Sequence, residues 1–327
     1  MKILAYDMEP FEEADFSELG QQMGIDLTCV KEPLTLETTA LAEGYDGVSI
    51  LGWSKADRTV LEKLRDLGVN ALSTRTIGYD HIDTTAAREL GISVSNASYS
   101  PHNVADFTIM LLLMLLRNAK VSVCRALVND FSLDGMQGRE VHSLTVGIIG
   151  TGKIGRTVIQ NLKGFGCRIL AYDIYPDAKT ASMAEYVDLD TLYAQSDVIS
   201  LHMPLTKDNY HMINRDSISR MKDGVLLINT ARGGLVNTED LIDALEKQKV
   251  GGAGIDTLEE EAGVAHIHVG TTIIEKRSLL YLKQFHNVIF TQHYAFFTKE
   301  ATRSMVYSGL AGIVNALEGK ENPYEVC

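Results

Sequence analysis

The sequence predicts an α/β protein with two doubly wound parallel-sheet domains and a cleft between them. Short β-rich runs alternate with helix-like stretches along the chain, which is typical of parallel sheets covered on both faces. The chain has 327 residues, more than one core of ordinary size requires. A glycine-rich turn also separates a strand from a helix near the middle of the chain, where a second alternating unit begins.

The first hundred residues predict the first sheet. Its five β-rich runs are KILAYD, DLTCV, GVSILG, ALSTRT and ISVSNA. Between the third and fourth runs, residues 57–67 place four apolar residues on one face of a helix: Val60, Leu61, Leu64 and Leu67. A helix of this kind can cover one face of the sheet.

A single long apolar helix is predicted over residues 101–127. Pro101 suits its first turn, and Asp106 lies near the positive end of its dipole. Apolar residues occupy much of its circumference, so we expect it to be buried. A domain boundary and a subunit interface are both consistent with that pattern.

The second alternating unit begins at Leu144. Its predicted strands are LTVGIIG, CRILAYD, VISLHM, GVLLINT and GGAGID, with NVIFTQH after them. The tail ATRSMVYSGLAGIVNALEG has the pattern of one amphipathic helix, which can return to the first domain.

Composition and charge exclude several classes of partner. The formal net charge of −13 disfavours nucleic acid. The longest apolar run, residues 109–116, is far shorter than the ~20 residues that span a bilayer, so no membrane partner is expected. The N-terminus lacks the features of a signal peptide, and the four cysteines form no C-x-x-C pair. We therefore expect a cytoplasmic protein with reduced thiols and no metal site.

The glycine-rich turn has the G-x-G-x-x-G pattern of a dinucleotide site. It consists of Gly150, Thr151, Gly152, Lys153, Ile154 and Gly155. A strand enters this turn and a helix leaves it, so a pyrophosphate can lie at the helix N-terminus. Asp173, at the end of the next strand, is placed to bind the ribose hydroxyls. Residues 174–176 include no Arg or Lys for a 2′-phosphate, and NAD is therefore favoured over NADP.

Three residues that follow strands can carry out the reduction of a 2-oxo acid. Arg232 can hold a carboxylate and polarise a carbonyl through its planar fork. His293 can give a proton to the carbonyl oxygen, and Glu261 can hydrogen-bond the imidazole. The carboxyl ends of the strands line the ligand crevice of a doubly wound sheet. A surface arginine, a structural histidine and a solvated acidic turn are the alternative interpretations.

Several segments of the chain resemble the D-isomer-specific 2-hydroxyacid dehydrogenases, in particular the D-lactate and D-2-hydroxyisocaproate dehydrogenase branch. They are STRTIGYDHID, SYSPHNVADFT, VGIIGTGKIGR, LLINTARGGLV, AGIDTLEEE and NVIFTQHYAFFT. The resemblance covers nearly the whole chain. It implies that Arg232, Glu261 and His293 form the family's catalytic triad, and it selects Glu261 from three consecutive glutamates.

The resemblance also implies further site residues and a domain division. Thr230 and Asp256 are expected at the cofactor. The backbone N–H groups of Ile77 and Gly78 are expected to hold the substrate carboxylate. Leu51, Tyr99 and Phe296 are expected to line the substrate pocket.

The family's architecture implies a flavodoxin-like substrate domain and a Rossmann NAD-binding domain. The substrate domain would comprise residues 1–99 and 297–327, and the NAD-binding domain residues 100–296. A homodimer is expected, since dimers are usual in this family.

The sequence departs from the family pattern at a few positions. Gln292 stands where proline is usual, and His102 where asparagine is usual. The loop AHIHVGTTIIEK is idiosyncratic, and its H-x-H pair is not expected to bind a metal without further ligands.

The predicted function is the reversible, NADH-dependent reduction of a 2-oxo acid to a D-2-hydroxy acid, with pyruvate to D-lactate favoured. Branched or aromatic 2-oxo acids, such as 4-methyl-2-oxopentanoate and phenylpyruvate, are alternatives, because Leu51 leaves room for a larger substrate side chain. Trp53 can fill that room again, which favours pyruvate. An NAD(H)-sensing protein similar to the corepressors of this fold is a rival from another class. The complete triad favours the enzyme.

Overall fold

The computed structural model describes residues 1–259, 261 and 263–327. The chain divides into two compact units. The first comprises Met1–Ser100 with Phe297–Cys327, and the second comprises Pro101–Phe296. Each unit contains one parallel sheet with helices packed on it, so the predicted α/β class with two parallel-sheet domains is confirmed.

The first unit has a five-stranded sheet of order β2-β1-β3-β4-β5. Its strands are β1 (Lys2–Ala5), β2 (Asp26–Cys29), β3 (Gly47–Ile50), β4 (Ala71–Thr74) and β5 (Ser93–Ser95). All neighbouring pairs are parallel. The strand order reverses between β1 and β3, as it does in flavodoxin-like sheets. The five β-rich runs of the sequence correspond to these five strands.

Three helices connect these strands. They are α1 (Glu13–Met23), α2 (Arg58–Asp66) and α3 (Thr84–Leu90). The side chain of Asp57 accepts the Val60 N–H and caps α2 at its N-terminus. Val60, Leu61 and Leu64 of the predicted apolar face are buried against the sheet, whereas Leu67 lies just beyond the helix and is partly buried in the same core.

The prediction of a single helix over residues 101–127 is wrong. The structure has two helices there, α4 (His102–Leu116) and α5 (Ala119–Leu127), which meet at 67°. Asn118 adopts the left-handed conformation, with φ of +50°, and this breaks the helical hydrogen bonding. Burial is confirmed only for α4, because α5 has no buried residue.

No single helix among the described residues is long and apolar enough to cross a membrane. In the described part of the chain, only α4 and α5 taken together, across their bend, reach the required length and composition.

The second unit has a seven-stranded parallel sheet of order β12-β11-β10-β9-β6-β7-β8. Its strands are β6 (Thr145–Ile149), β7 (Arg168–Tyr172), β8 (Glu185–Tyr186), β9 (Val198–Leu201), β10 (Val225–Asn229), β11 (Val250–Ile255) and β12 (Val288–Phe290). The order reverses between β6 and β9, and this is where doubly wound sheets bind ligands. The two-residue strand β8 was not predicted, because it is too short to give a pattern.

Helices cover both faces of this sheet. After α4 and α5 they are α6 (Lys153–Lys163), α7 (Ala178–Ala181), α8 (Leu189–Gln195), α9 (Arg215–Ser219), α10 (Thr238–Glu246) and α11 (Arg277–Leu282). Successive residues of β10 belong to different cores, with Leu227 in one and Leu226 and Ile228 in the other. This alternation is the pleat of a strand buried on both sides.

The last helix, α12 (Lys299–Leu317), packs against the first sheet. Val306, Leu310 and Ile313 lie in one core with Ile3 and Ala5. The chain then ends beside β5, where the N–H of Val94 donates to the carbonyl of Cys327 (2.7 Å). The C-terminal segment is thus an integral part of the first unit.

Candidate active site

The three candidate catalytic residues follow three adjacent strands of the second sheet. Arg232 follows β10, Glu261 follows β11 and His293 follows β12. Because carboxyl ends of parallel strands meet at one edge, the fold brings these side chains to the same edge of the sheet. Glu260, the middle one of the three consecutive glutamates, lies outside the described residues, as does Ala262.

Glu261 and His293 form a hydrogen-bonded pair. Nδ1 of His293 lies 2.6 Å from Oε1 of Glu261, and the other carboxylate oxygen accepts the N–H of Leu258 (3.1 Å). Both side chains are about one-quarter to one-third exposed (26% and 32%), so solvent and small molecules can reach them. With Nδ1 bound to the carboxylate, Nε2 is the ring nitrogen left for a reacting group.

Asp256 holds the loop that carries His293. Its carboxylate is buried and accepts hydrogen bonds from Thr291 Oγ1 (2.6 Å) and from the backbone N–H groups of Tyr294 (3.1 Å) and Ala295 (2.9 Å). These bonds flank His293, which has a left-handed backbone with φ of +58°. A non-glycine residue adopts that conformation at a cost, so the bonds from Asp256 stabilise the loop.

The loop with the H-x-H pair also approaches His293. Nε2 of His266 lies 2.7 Å from the carbonyl oxygen of His293, and its ring is 6.0 Å from that of Phe296. The carbonyl of Phe296 accepts a hydrogen bond from Asn103 at the start of α4 (2.9 Å). Among the described residues, no three potential ligands are grouped so that they could hold a metal ion.

Arg232 lies in a turn fixed by Asn229. The buried side chain of Asn229 donates to the carbonyl of Arg232 (2.9 Å) and accepts the N–H of Ala231 (3.1 Å). The hydroxyl of Thr230 pairs with that of Thr108 on α4 (3.0 Å). The turn after β10 is therefore built from hydrogen bonds within the second unit.

The glycine-rich turn follows β6 and leads directly into α6. Gly150 has φ of +94°, and a Cβ there would lie 2.6 Å from the carbonyl oxygen of His202, which follows β9. A Cβ on Gly155 would overlap the carbonyl oxygen of Gly150. Gly152 and Lys153 are exposed, with open space around Gly152. The first and last glycines thus permit close packing, while the middle one leaves the N-terminus of α6 accessible.

Asp173 and His202 lie on either side of this turn. The carboxylate of Asp173 accepts the N–H of Thr151 (2.6 Å) and the N–H of Tyr175 (2.8 Å). His202 bonds Ser200 Oγ through Nε2 (2.8 Å), whereas its buried Nδ1 has no partner among the described residues. Burial lowers the pKa of His202 to about 3, so the ring is neutral at physiological pH.

These residues fit a dinucleotide. An accessible helix N-terminus binds a pyrophosphate, and a strand-end carboxylate accepts ribose hydroxyls. The unpartnered Nδ1 of His202 offers a further polar contact at the point where the strand order reverses. His202 was not predicted from the sequence, although it directly follows a strand, where ligand-binding residues of such sheets lie.

The candidate substrate residues of the first unit also follow strands. Leu51 follows β3, Ile77 and Gly78 follow β4, and Tyr99 lies beyond β5. The N–H of Leu51 donates to the buried carboxylate of Asp7 (2.9 Å). The carbonyl of Ile77 accepts a hydrogen bond from Asn96 (2.8 Å), a residue that was not predicted from the sequence.

Comparison with known proteins identifies relatives along the whole chain. Residues 109–295 match the family model of the D-isomer specific 2-hydroxyacid dehydrogenase NAD binding domain. The chain is 44% identical over 308 residues to an aromatic 2-oxoacid reductase of Clostridium sporogenes, covering 94% of this chain and 93% of the relative. It is 37% identical over 328 residues to a D-lactate dehydrogenase of Escherichia coli, with both chains fully covered. A solved D-2-hydroxyisocaproate dehydrogenase superposes with a TM-score of 0.91 at 35% identity, covering 100% of this chain and 99% of the other.

Proposed function

The chain belongs to the D-isomer specific 2-hydroxyacid dehydrogenases, and we propose that it reduces a 2-oxo acid reversibly to the D-2-hydroxy acid with NADH. The observation that carries this proposal is the Glu261–His293 pair, 2.6 Å apart, beside the strand that leads to Arg232. A positioned acid and a fixed cation are the protein groups that reduction of a 2-oxo acid requires.

His293 gives the proton in this proposal. Its Nε2–H donates to the carbonyl oxygen as the 2-carbon is reduced, and in the reverse direction Nε2 takes the proton from the hydroxyl. Glu261 accepts the Nδ1–H, so it fixes the ring orientation and balances the charge of the imidazolium. Asp256 holds the loop on which His293 lies, and its expected place at the cofactor stays a prediction.

Arg232 holds the substrate carboxylate in this proposal. The guanidinium can bind a carboxylate and polarise the adjacent carbonyl with two parallel N–H groups. We assign the backbone N–H groups of Ile77 and Gly78 to carboxylate binding, and Leu51, Tyr99 and Phe296 to the substrate side chain. The first unit is then the substrate domain and the second the NAD-binding domain.

NAD is the cofactor, and when bound as NADH it supplies the hydride for the 2-carbon. Gly152 leaves space for its pyrophosphate at the start of α6, while Gly150 and Gly155 permit the close packing of that turn. Thr151, Lys153 and Ile154 complete that turn. Asp173 is assigned to the ribose hydroxyls, and Thr230 to the cofactor.

Pyruvate is the first candidate substrate, and an aromatic 2-oxo acid is the second. D-lactate dehydrogenases with 37% to 39% identity support pyruvate. The aromatic 2-oxoacid reductase, at 44% identity, supports phenylpyruvate. Leu51 is almost completely buried, whereas Trp53 is 38% exposed, so Trp53 is the side chain better able to adjust the space for a substrate.

The experiment is a turnover assay with NADH and four acids: pyruvate, 4-methyl-2-oxopentanoate, phenylpyruvate and 2-oxoglutarate. We expect D products, and the largest kcat/KM identifies the substrate. Tight NADH binding without turnover of any acid would instead favour the nucleotide-sensing protein.

The role of His293 is tested by His293→Asn. Loss of the general acid is expected to lower kcat by about 10²- to 10⁴-fold, with the Kd for NADH unchanged. His286→Asn is the matched control, because His286 is exposed and precedes β12 at the opposite end of the strand. Turnover of the His293 variant equal to that of the control would contradict the assignment.

We further propose that the protein is a cytoplasmic homodimer. The cytoplasm supplies NADH, and all four cysteines are free thiols. Exposed apolar side chains on α5 and the segment after it support the dimer.

A further inference from the structure

A second carboxylate–imidazole pair lies two residues from Glu261. Oε1 of Glu259 is 2.7 Å from Nε2 of His211, and the same oxygen accepts the hydroxyl of Tyr210 (2.7 Å). The rings of Tyr210 and His211 are stacked, with centroids 3.8 Å apart. Burial raises the pKa of Glu259, but the hydrogen bonds from Tyr210 and His211 outweigh it and leave the pKa below its usual value.

This pair is attached to the turn that carries Arg232. The N–H of His211 donates to the carbonyl of Gly234 (2.8 Å), and Nδ1 of His211 lies 3.2 Å from the side-chain amide of Asn237. Gly233, next to Arg232, is packed so closely on the Leu258–Glu259 backbone that a Cβ there would overlap it. Side chains and backbone together therefore join Glu259 to the Arg232 turn.

The same segment is attached to the proton donor. The N–H of Leu258 donates to Glu261 Oε2 (3.1 Å), and Glu261 Oε1 binds His293. Glu259 thus lies between the turn of the carboxylate-binding arginine and the acid–base pair. All of these residues belong to the second unit.

We propose that Glu259, His211 and Tyr210 are positioning residues that fix the Arg232 turn relative to the Glu261–His293 pair. This inference rests on the proposed function, because it assigns these residues to the same reaction. None of the three needs to touch the substrate. Their contribution is geometric, and small misplacements of reacting groups reduce turnover strongly.

The test compares Tyr210 with Tyr281, since each donates a hydrogen bond from its hydroxyl to a glutamate. Tyr281 donates its hydroxyl to Glu246 (2.6 Å) between α11 and α10, away from the site, as Tyr210 does to Glu259. Both tyrosines are about half exposed, at 43% and 54%. Tyr210→Phe and Tyr281→Phe therefore remove equivalent hydrogen bonds.

We expect Tyr210→Phe to lower kcat/KM for the 2-oxo acid about ten-fold, with the Kd for NADH unchanged. Tyr281→Phe should keep parent activity, and the two variants should have equal Tm. Glu259→Ala should lose more activity, whereas Glu259→Gln, which keeps an acceptor oxygen, should recover part of it. Activity of Tyr210→Phe and Glu259→Ala within two-fold of the Tyr281 variant would overturn the inference.

A binding measurement separates this inference from the proposed function. Oxamate, an amide analogue of pyruvate, reports on the Arg232 turn without turnover. We expect its Kd for the NADH complex to rise in Tyr210→Phe and not in Tyr281→Phe. Absence of turnover in the unaltered chain would count against the proposed function, whereas equal oxamate Kd values in the two variants would count against the positioning role.

Discussion

At the scale of single residues, Asn96 controls a peptide group of the candidate carboxylate site. Its side chain donates to the carbonyl of Ile77 (2.8 Å). No peptide bond in the described chain is cis, and in a trans peptide the N–H points opposite to the C=O. The bond from Asn96 therefore aims the N–H of Gly78 away from Asn96.

Asn96→Ala is expected to raise the KM for the 2-oxo acid by about two- to ten-fold, which corresponds to the free energy that one hydrogen bond contributes. The kcat should change little, because the carboxylate is bound equally in substrate and transition state. Steady-state kinetics at saturating NADH measure both the KM and the kcat. Asn70→Ala is the control, since Asn70 also donates to a backbone carbonyl, that of Gly68 (2.8 Å), before β4. An unchanged KM in the Asn96 variant would remove this role.

The sequence was sufficient to place some candidate residues at strand ends, but not to reveal contacts between distant segments. Arg232, Glu261 and His293 each follow a β-rich run, and strand ends are where ligands bind in such folds. The contact between His211 and Glu259 spans 48 residues, and that between Arg75 and Glu12 spans 63. No local pattern signals such pairs, because they depend on how distant segments pack.

At the scale of elements, the strands were predicted well because parallel strands buried on both faces read as apolar runs. The division between α4 and α5 was missed because Asn118 is neither Gly nor Pro, the residues that usually break helices. Only tertiary structure reveals its left-handed conformation. The local sequence therefore predicted the positions of the elements more reliably than the point at which one predicted helix divides into two.

Arg75 and Glu12 form a fully buried ion pair that joins the ends of three elements. Glu12 precedes α1, Arg75 follows β4, and the guanidinium also donates to the carbonyl groups of Tyr6 and Asp7 after β1. Because Glu12→Ala leaves a buried charge without its partner, we expect it to lower the free energy of unfolding by about 3–5 kcal/mol.

Urea denaturation of the unaltered protein and of the Glu12→Ala variant measures this difference in the free energy of unfolding. Glu18→Ala is the control, because Glu18 pairs with Arg303 at the surface and should have little effect. If Glu12→Ala destabilises no more than the control, the pair does not hold these element ends together.

At the scale of the whole molecule, α5 and the segment after it expose a patch of large apolar side chains. They are Val123, Leu127, Val128, Phe131 and Leu133, each between 62% and 85% exposed. Patches of this kind mark interaction surfaces, since leaving them in water is unfavourable. We expect a second copy of the chain to cover the patch, so the protein should sediment at twice its mass of 36.0 kDa.

Leu127→Glu with Phe131→Glu should give a folded monomer, because neither side chain supports the core and paired charges repel at a symmetric interface. Tyr175→Glu with Ile273→Glu is the matched control, with exposed fractions of 81% and 84% outside the patch, and it should remain a dimer. A monomeric parent, or a dimer that survives the two patch substitutions, would show that this surface does not join two copies.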